Sequence, residues 1–270
     1  MGQIPIYYIN LASRTDRREF MQAQFARLGL MAERIEAVTP SDISADLLAR
    51  YCDATQPFYR RPNQLACSLS HEAAWRAMLA AGHERAVVME DDAQLSQSLP
   101  DFLAALDTVA FDLLRFERSS RKIRLLPAIE TVGPDIALRP FRSTLSGRSG
   151  YIIGVRAARR FLDNPEANAR FGDRGLFNEM SGPGKGLVRY HTDPALCIQM
   201  GNVDAKNREQ GVGWSDLNSV KTGDVYARTH PVRHFFVHTL PAFGTGLHNA
   251  IDHIAHLTKG IEKKRISFRP

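Results

Sequence analysis

The stretch Ala86-Val87-Val88-Met89-Glu90-Asp91-Asp92-Ala93 constrains this chain more than any other, because an apolar run ends abruptly in three consecutive carboxylates. Such a run predicts a buried strand, and the carboxylates predict its exit from the core into an acidic site. Side chains alternate along a strand, so Glu90 and Asp92 are expected on one face and Asp91 on the other until the strand frays. Adjacent negative charges repel unless a cation or a set of donors receives them. Oxygen ligands at this density suit a hard divalent cation, Mg²⁺ or Mn²⁺, which completes its shell with water and phosphate oxygens. The motif thus points to a metal holding a phosphate ester, with a solvated acidic turn after a buried strand as the alternative.

The segments around this strand alternate. Ile4 to Leu11 is β-branched and aromatic-rich and predicts a first strand, followed by a helix in which Met21, Phe25 and Leu28 recur on one face and Gly29 supplies the stop. Asp16 with Glu19 three residues on resembles a capping box. Arg34 to Val38 predicts a second strand, Asp42 to Tyr51 a short helix, and Asn63 to Ala81 a longer helix ending at Gly82. Strand and helix in turn imply an α/β fold, a mixed but mainly parallel sheet flanked by helices. Ligands of such sheets bind beyond the carboxyl ends of strands, where Asn10 and Glu90 to Asp92 fall. Further on, Phe111 to Phe116, Lys122 to Leu126, Ile136 to Phe141 and Gly150 to Val155 are expected strands, and Ala157 to Leu162 a helix. The Gly- and Asn-rich Asn164 to Gly186 is expected to be a functional loop region.

The 270 residues suffice for a sizeable core, and the formal charge of +6 favours an anionic partner. Basic residues gather at Arg14 to Arg18, Arg115 to Arg124, Arg139 to Arg160 and the last dozen positions. No zinc-finger or aromatic RNA-binding signature accompanies them, so no nucleic-acid partner is expected. No apolar run approaches the roughly 18 residues that cross a bilayer, and the N-terminus lacks the layout of a signal peptide, so a cytoplasmic location is expected. Cys52, Cys67 and Cys197 are widely spaced and odd in number, as expected of reduced thiols.

Arg14, Arg17 and Arg18 follow the first strand on a turn and helix start, a favourable place for an anion. In Cys67-Ser68-Leu69-Ser70-His71-Glu72-Ala73-Ala74-Trp75, Ser68, His71 and Trp75 share one helical face. Gly182-Pro183-Gly184-Lys185-Gly186 is not a phosphate loop, since Gly186 stands where Ser or Thr is required and Glu179 where the first glycine is. His248, His253 and His256 lack the spacing of a zinc hydrolase.

Taken in order, INLASRTDRREFM, CSLSHEAAW, VVMEDDA and SGYIIGVRAARRFL resemble glycosyltransferase family 25 over roughly residues 4 to 200. The resemblance implies a GT-A-like nucleotide-sugar-binding fold, a UDP-sugar donor, a divalent cation (Mn²⁺ or Mg²⁺) and a β-linked product formed with inversion. It assigns Asn10, Leu11, Arg14, Arg17, Ser70, His71, Trp75 and Asp91 to the donor, Glu90 and Asp92 to the metal, and Gly150 and Tyr151 to the acceptor side. The family's Pro-x-Asp element corresponds to Phe171-Gly172-Asp173, with Phe171 in place of the Pro. This leaves Asp173 as the expected base, with Glu179 in reserve.

The expected protein is therefore an inverting, UDP-sugar-dependent hexosyltransferase that moves galactose to a glycan or glycolipid acceptor of lipooligosaccharide. A metal-dependent nucleotidyltransferase or phosphohydrolase is the rival enzyme, and a basic peripheral protein the non-enzymatic one. Residues 1–240 form the expected catalytic domain and 241–270 a basic amphipathic C-terminal helix and tail. Leu247, Ile251, Ile254, Leu257 and Ile261 make a helical stripe closely followed by Lys259, Lys263, Lys264, Arg265 and Arg269. That layout suits an anionic membrane surface on the inner face of the cytoplasmic membrane, or a helix packed on the core.

Overall fold

The computed structural model describes residues 4–106, 108–178, 182–203, 212, 229–236 and 260–270. Its strands are β1 Ile6–Asn10, β2 Glu33–Glu36, β3 Arg85–Glu90, β4 Ala93–Leu95, β5 Leu113–Arg115, β6 Ile123–Leu125, β7 Glu130–Val132, β8 Ile136–Pro140, β9 Gly150–Gly154, β10 Arg189–Asp193, β11 Cys197–Gln199 and β12 Glu262–Lys264. The helices that matter here are α1 Thr15–Leu28, α2 Ala45–Tyr51, α3 Pro62–Ala80, α4 Leu99–Ala104, α5 Val155–Leu162, α6 Pro165–Phe171 and α7 Asp173–Leu176.

Eight strands form one sheet in the order β2-β1-β3-β9-β5-β10-β8-β7. β2, β1 and β3 are parallel, as are β5 and β10, while β9 and β8 run against their neighbours. The sheet is thus mixed, with most strands in one direction, as the alternating sequence implied. β1 and β9 are buried along their whole length, which is why both read as near-continuous apolar runs. One face packs Met21 and Phe25 of α1 with Phe102 of α4, and the other packs Trp75 and Met78 of α3 with Phe161 of α5. The acidic segment leaves the sheet between these two layers.

Local chemistry accounts for the framing helices. Gly29 ends α1 in the left-handed region at φ 64°, and its N–H returns to the Ala26 carbonyl, the stop that the sequence implied. The expected capping box does not form: Arg14 occupies the cap position, and Asp16 pairs with the Arg14 guanidinium at 2.8 Å instead. Ser44 caps α2, accepting from the Leu47 N–H at 3.4 Å.

One further expectation is corrected. Asn164 to Gly186 is not all loop, because α6 and α7 occupy much of it, with Pro165 at the first helical position where its missing N–H costs nothing. Of the clustered arginines, Arg115 is fully buried, 2.9 Å from the Glu117 carboxylate, and Arg148 is buried too. The described end of the basic tail carries a strand packed on the body. β12 pairs antiparallel with β6, Ile261 and Ile266 are buried, Lys264 pairs with Asp193 at 2.7 Å, and Arg269 pairs with Asp135. Most of the expected stripe, from Leu247 to Leu257, lies outside the described residues, as do His248, His253 and His256.

The tail therefore has a stability role. Burying an isoleucine contributes about 1.5–3 kcal/mol, so two give at least about 3 kcal/mol. Deleting residues 261–270 is expected to lower the melting temperature by about 6–12 °C, taking 2–4 °C per kcal/mol for a chain of this size. Calorimetry checks it, and an unchanged melting temperature would mean that β12 is not held in solution.

Candidate active site

The site is built where β1 and β3 end side by side, with Ile9 opposite Glu90. A pocket of about 380 Å³ opens there, within the usual range for small-molecule sites. It is lined by Leu11, Arg14 and Arg17 from the first turn and α1, Ser70 and His71 from α3, and Glu90, Asp91 and Asp92. Cys67 and Gln199 also line it. Eight of the residues assigned from sequence thus converge on one cavity.

Beneath the pocket floor, buried Asn10 donates to the Arg14 carbonyl at 3.1 Å and to Asp91 Oδ2 at 2.7 Å, tying the first turn to the acidic one. Arg17 reaches from α1 to place its guanidinium 2.7 Å from Asp91 Oδ1 and 3.7 Å from Asp92 Oδ2. Two turns further along the same helix, Gln24 accepts from the Leu95 N–H at 2.8 Å and donates to the Ala93 carbonyl at 3.0 Å. α1 therefore clamps the acidic turn and the strand that follows it. From the other side, Gln199 donates to Asp92 Oδ2 at 3.0 Å and the Met200 N–H to the Asp92 carbonyl at 2.8 Å.

The expected pairing of Glu90 with Asp92 on one face is not what forms. β3 ends at Glu90, so strand alternation stops there, and Asp91 and Asp92 lie together in a turn around Arg17. Glu90 turns to α3 instead. His71 Nε2 lies 3.3 Å from Glu90 Oε1, and Ser149 Oγ donates to Oε2 at 2.9 Å. Behind His71, its Nδ1 is 2.8 Å from the Tyr151 hydroxyl, which accepts from Trp75 Nε1 at 2.9 Å. Because a carboxylate only accepts, the chain is satisfied throughout when Tyr151 donates to Nδ1 and Nε2–H donates to Glu90.

These surroundings divide the carboxylates. Burial works against the charge of Glu90, but His71, Arg148 and Ser149 outweigh it and hold the carboxyl down at about 2. Burial pushes Asp92 up to about 7, Glu90 and Asp91 adding to the rise and Arg17 opposing it. Asp91 is raised by burial in spite of Arg17 and Asn10.

Trp75, Gly150 and Tyr151 do not line the pocket. Trp75 and Tyr151 are fully buried and are linked to it through His71. At Gly150 a Cβ would collide with Cys197 Sγ and lie 2.6 Å from Phe116 Cε2, so the glycine answers a packing need of β9. Ser70 reaches the pocket while tying α3 to the strand-end loop, accepting from the Val38 N–H at 2.9 Å. Asp173 opens α7, next to Gly172, whose backbone packs beside Ser68 and Arg148; the Asp173 side chain and all of Glu179 lie outside the described residues.

A hard divalent cation fits the residues present. Asp92 Oδ1 is buried and has no hydrogen-bond partner among the described residues, in a pocket lined by two further carboxylates. A buried anionic oxygen left this way is costly unless a cation meets it. Residues that sequence reasoning did not assign are Cys67, Ser149, Arg148, Gln24 and Gln199. Only Cys67, four residues before His71 on a helix, carried a local signal.

Arginines facing carboxylates in one cavity at strand ends have the make-up of a site for a phosphorylated ligand and a cation. The chain belongs to glycosyltransferase family 25 (LPS biosynthesis protein), whose profile matches residues 3–169, and it is accordingly a glycosyltransferase. It is 26% identical over 236 residues to the lacto-N-neotetraose biosynthesis glycosyltransferase LgtE of Neisseria gonorrhoeae, covering 76% of this chain and 82% of that one. It is 26% identical over 211 residues to LgtB of Neisseria meningitidis serogroup B, covering 72% and 74%. A glycosyltransferase 25 family member of Aedes aegypti is 29% identical over 188 residues, covering 60% of this chain and 28% of that one. Among solved structures, a glycosyltransferase involved in glycosylation of the major capsid of PBCV-1 superposes with a TM-score of 0.43 at 11% identity, over 77% of this chain and 97% of that one. Among the described residues, no helix is long and apolar enough to cross a membrane.

Proposed function

We propose that the protein is an inverting GT-A-type transferase that moves galactose from a UDP-sugar to a hydroxyl of a lipooligosaccharide glycan, forming a β linkage. The observation that carries this reading is the convergence of Arg14, Arg17, Glu90, Asp91 and Asp92 on one cavity at the carboxyl ends of β1 and β3. The relatives' part in lacto-N-neotetraose synthesis supports a glycan acceptor.

In this reading Arg14 and Arg17 receive the diphosphate, and Asn10 holds the first turn in place. Asp92 and Glu90 would hold Mn²⁺ or Mg²⁺, which when bound neutralises charge on the departing UDP. The acceptor oxygen attacks the anomeric carbon as the bond to UDP breaks. A carboxylate takes the acceptor's proton, because sugar hydroxyls are poor nucleophiles at neutral pH. Asp173 is the proposed base, with Glu179 in reserve.

A panel of UDP-sugars tests the reading: UDP release from UDP-galactose, dependent on a divalent cation and stimulated by a glycan acceptor, is expected. Pyrophosphate release from a nucleoside triphosphate would instead establish a nucleotidyltransferase. Asp173→Asn is expected to lower turnover by about 10²–10⁴-fold with the donor KM little changed, the usual contribution of a general base. Unchanged turnover with a lower melting temperature would make Asp173 a structural residue of α7. Association with an anionic membrane face is part of the proposal and is checked by flotation of the full chain with anionic and neutral vesicles.

A further inference from the structure

Three donor atoms of different chemistry meet on the α3 side of the pocket. Cys67 Sγ, His71 Nε2 and a Glu90 carboxylate oxygen all lie within 4.8 Å of one another. Cys67 and His71 are four residues apart on α3, so both project from one face of a rigid element. The separations are 3.3 Å from Nε2 to Oε1 and 3.9 Å from Sγ to Oε1. Ligand bonds of about 2.3 Å to sulfur and 2.0–2.2 Å to nitrogen and oxygen give tetrahedral edges of about 3.4 Å and 3.6 Å. Two of the three edges therefore lie close to those of a tetrahedron before any ion enters, and the third, Sγ to Nε2, is no longer than 4.8 Å.

We propose that Cys67, His71 and Glu90 form a binding site for a borderline-soft divalent cation, Zn²⁺ in the first place, and that its occupation shuts the transferase off. The donor set selects the ion. Thiolate and imidazole favour zinc, whereas magnesium and manganese favour oxygen, which Asp92 offers in the same pocket. All three donors line the pocket, so the fourth corner opens into it.

The surroundings supply what such a site needs behind the ligands. A ligating histidine donates its other ring N–H to an acceptor, and the Tyr151 oxygen lies 2.8 Å from Nδ1. On binding, Cys67 releases its proton to solvent. The imidazole changes tautomer: Nε2 passes its proton to solvent and coordinates through its lone pair while Nδ1 takes one up, so the ring stays neutral and Nδ1–H donates to the Tyr151 oxygen. Ser149 keeps Glu90 oriented through the other carboxylate oxygen. The contact from Arg148 to Cys67 Sγ, at 3.6 Å, is exchanged for the metal bond.

The inhibitory consequence rests on the proposed function, since the ion would take Glu90 from the activating cation and stand where the donor binds. The site itself does not. The full chain, freed of metal, is titrated with Co²⁺ and read by absorption. Wild type is expected to show tetrahedral cobalt bands in the visible and a thiolate charge-transfer band in the near ultraviolet, both abolished by one equivalent of Zn²⁺. Cys67→Ser is expected to lose the near-ultraviolet band, and Tyr151→Phe to bind zinc about 10–100-fold more weakly. On unmutated protein, Zn²⁺ is expected to protect Cys67 from alkylation by iodoacetamide, read on its peptide by mass spectrometry. In the transferase assay, the Zn²⁺ concentration that halves each enzyme's own zinc-free rate is expected to be at least tenfold lower for wild type than for Cys67→Ser. A near-ultraviolet band that persists in Cys67→Ser, its absence from wild type, or unprotected Cys67 would overturn the site. Absence of UDP release with the cobalt spectrum as expected would overturn the transferase reading and leave the site standing.

Discussion

Asp92→Asn is expected to cut divalent-dependent transfer at least about a hundred-fold and, in the same protein stripped of metal, to raise the melting temperature. The loss follows from the part proposed for the ion. A metal at a departing phosphate supplies several kcal/mol, and each 1.4 kcal/mol is about tenfold in rate. The gain follows from crowding. Asp92 is buried beside Glu90 and Asp91, with one oxygen unpartnered, and burial together with Glu90 pushes its carboxyl up to about 7. A carboxyl raised in the folded state favours folding below its unfolded value near 3.8, and that contribution is lost as pH climbs through the folded value. At pH 8 the penalty is present in full, and an asparagine amide of the same size carries none. An increase of about 2–4 °C in EDTA would read about 1 kcal/mol of relieved repulsion. Wild-type turnover at limiting Mn²⁺ would remove Asp92 from the metal site, and a lower melting temperature would mean that its contacts to Arg17 and Gln199 outweigh the repulsion.

Arg17→Met carries the largest expected stability effect. The Arg17 side chain is 11% exposed and is the cation between Asp91 and Asp92, at 2.7 Å and 3.7 Å. Removing one member of a buried ion pair costs about 3–5 kcal/mol because the other charge stays behind uncompensated. Here two carboxylates stay behind, so the melting temperature is expected to fall by about 6–20 °C. The pH dependence separates charge from packing. Asp91 and Asp92 already titrate high through burial, and without Arg17 they rise further. Acid then neutralises them, so the deficit should be greatest near pH 8 and shrink toward pH 5. A deficit that is constant over that range would show that the alkyl stem, not the charge, is what α1 contributes.

Much of this site was legible because its parts are local. The apolar run before Glu90, the arginines after the first strand and the Ser–His pair each sit on an element whose period and stop signals are written within a dozen residues. The resemblance then placed three separate motifs around one donor. Missing were the groups that only chain return brings in. Gln199 reaches Asp92 from 107 residues away, and Ser149 reaches Glu90 from 59. Gly150 and Tyr151 were read as facing an acceptor, yet the first is fixed by contact with Cys197 and Phe116 and the second by bonds to His71 and Trp75. No spacing distinguishes a tyrosine that faces a pocket from one that holds up the residue facing it.

By itself the sequence determined the strands β1 and β3, the helices α1 and α3, and the acidic end where they meet, since burial periodicity and turn chemistry act over neighbouring residues. The tertiary structure alone decided how the charges are shared, with Glu90 going to His71 and Asp91 and Asp92 to Arg17, because strand alternation ends with the strand and partners thereafter are chosen by packing. It likewise decided that the polar Arg189–Asp193 lies within the sheet beside β5 and that the basic tail closes on β6 as a strand. Those pairings join segments dozens of residues or more apart, and their stability comes from surface removed from water on closure, a quantity no local pattern contains.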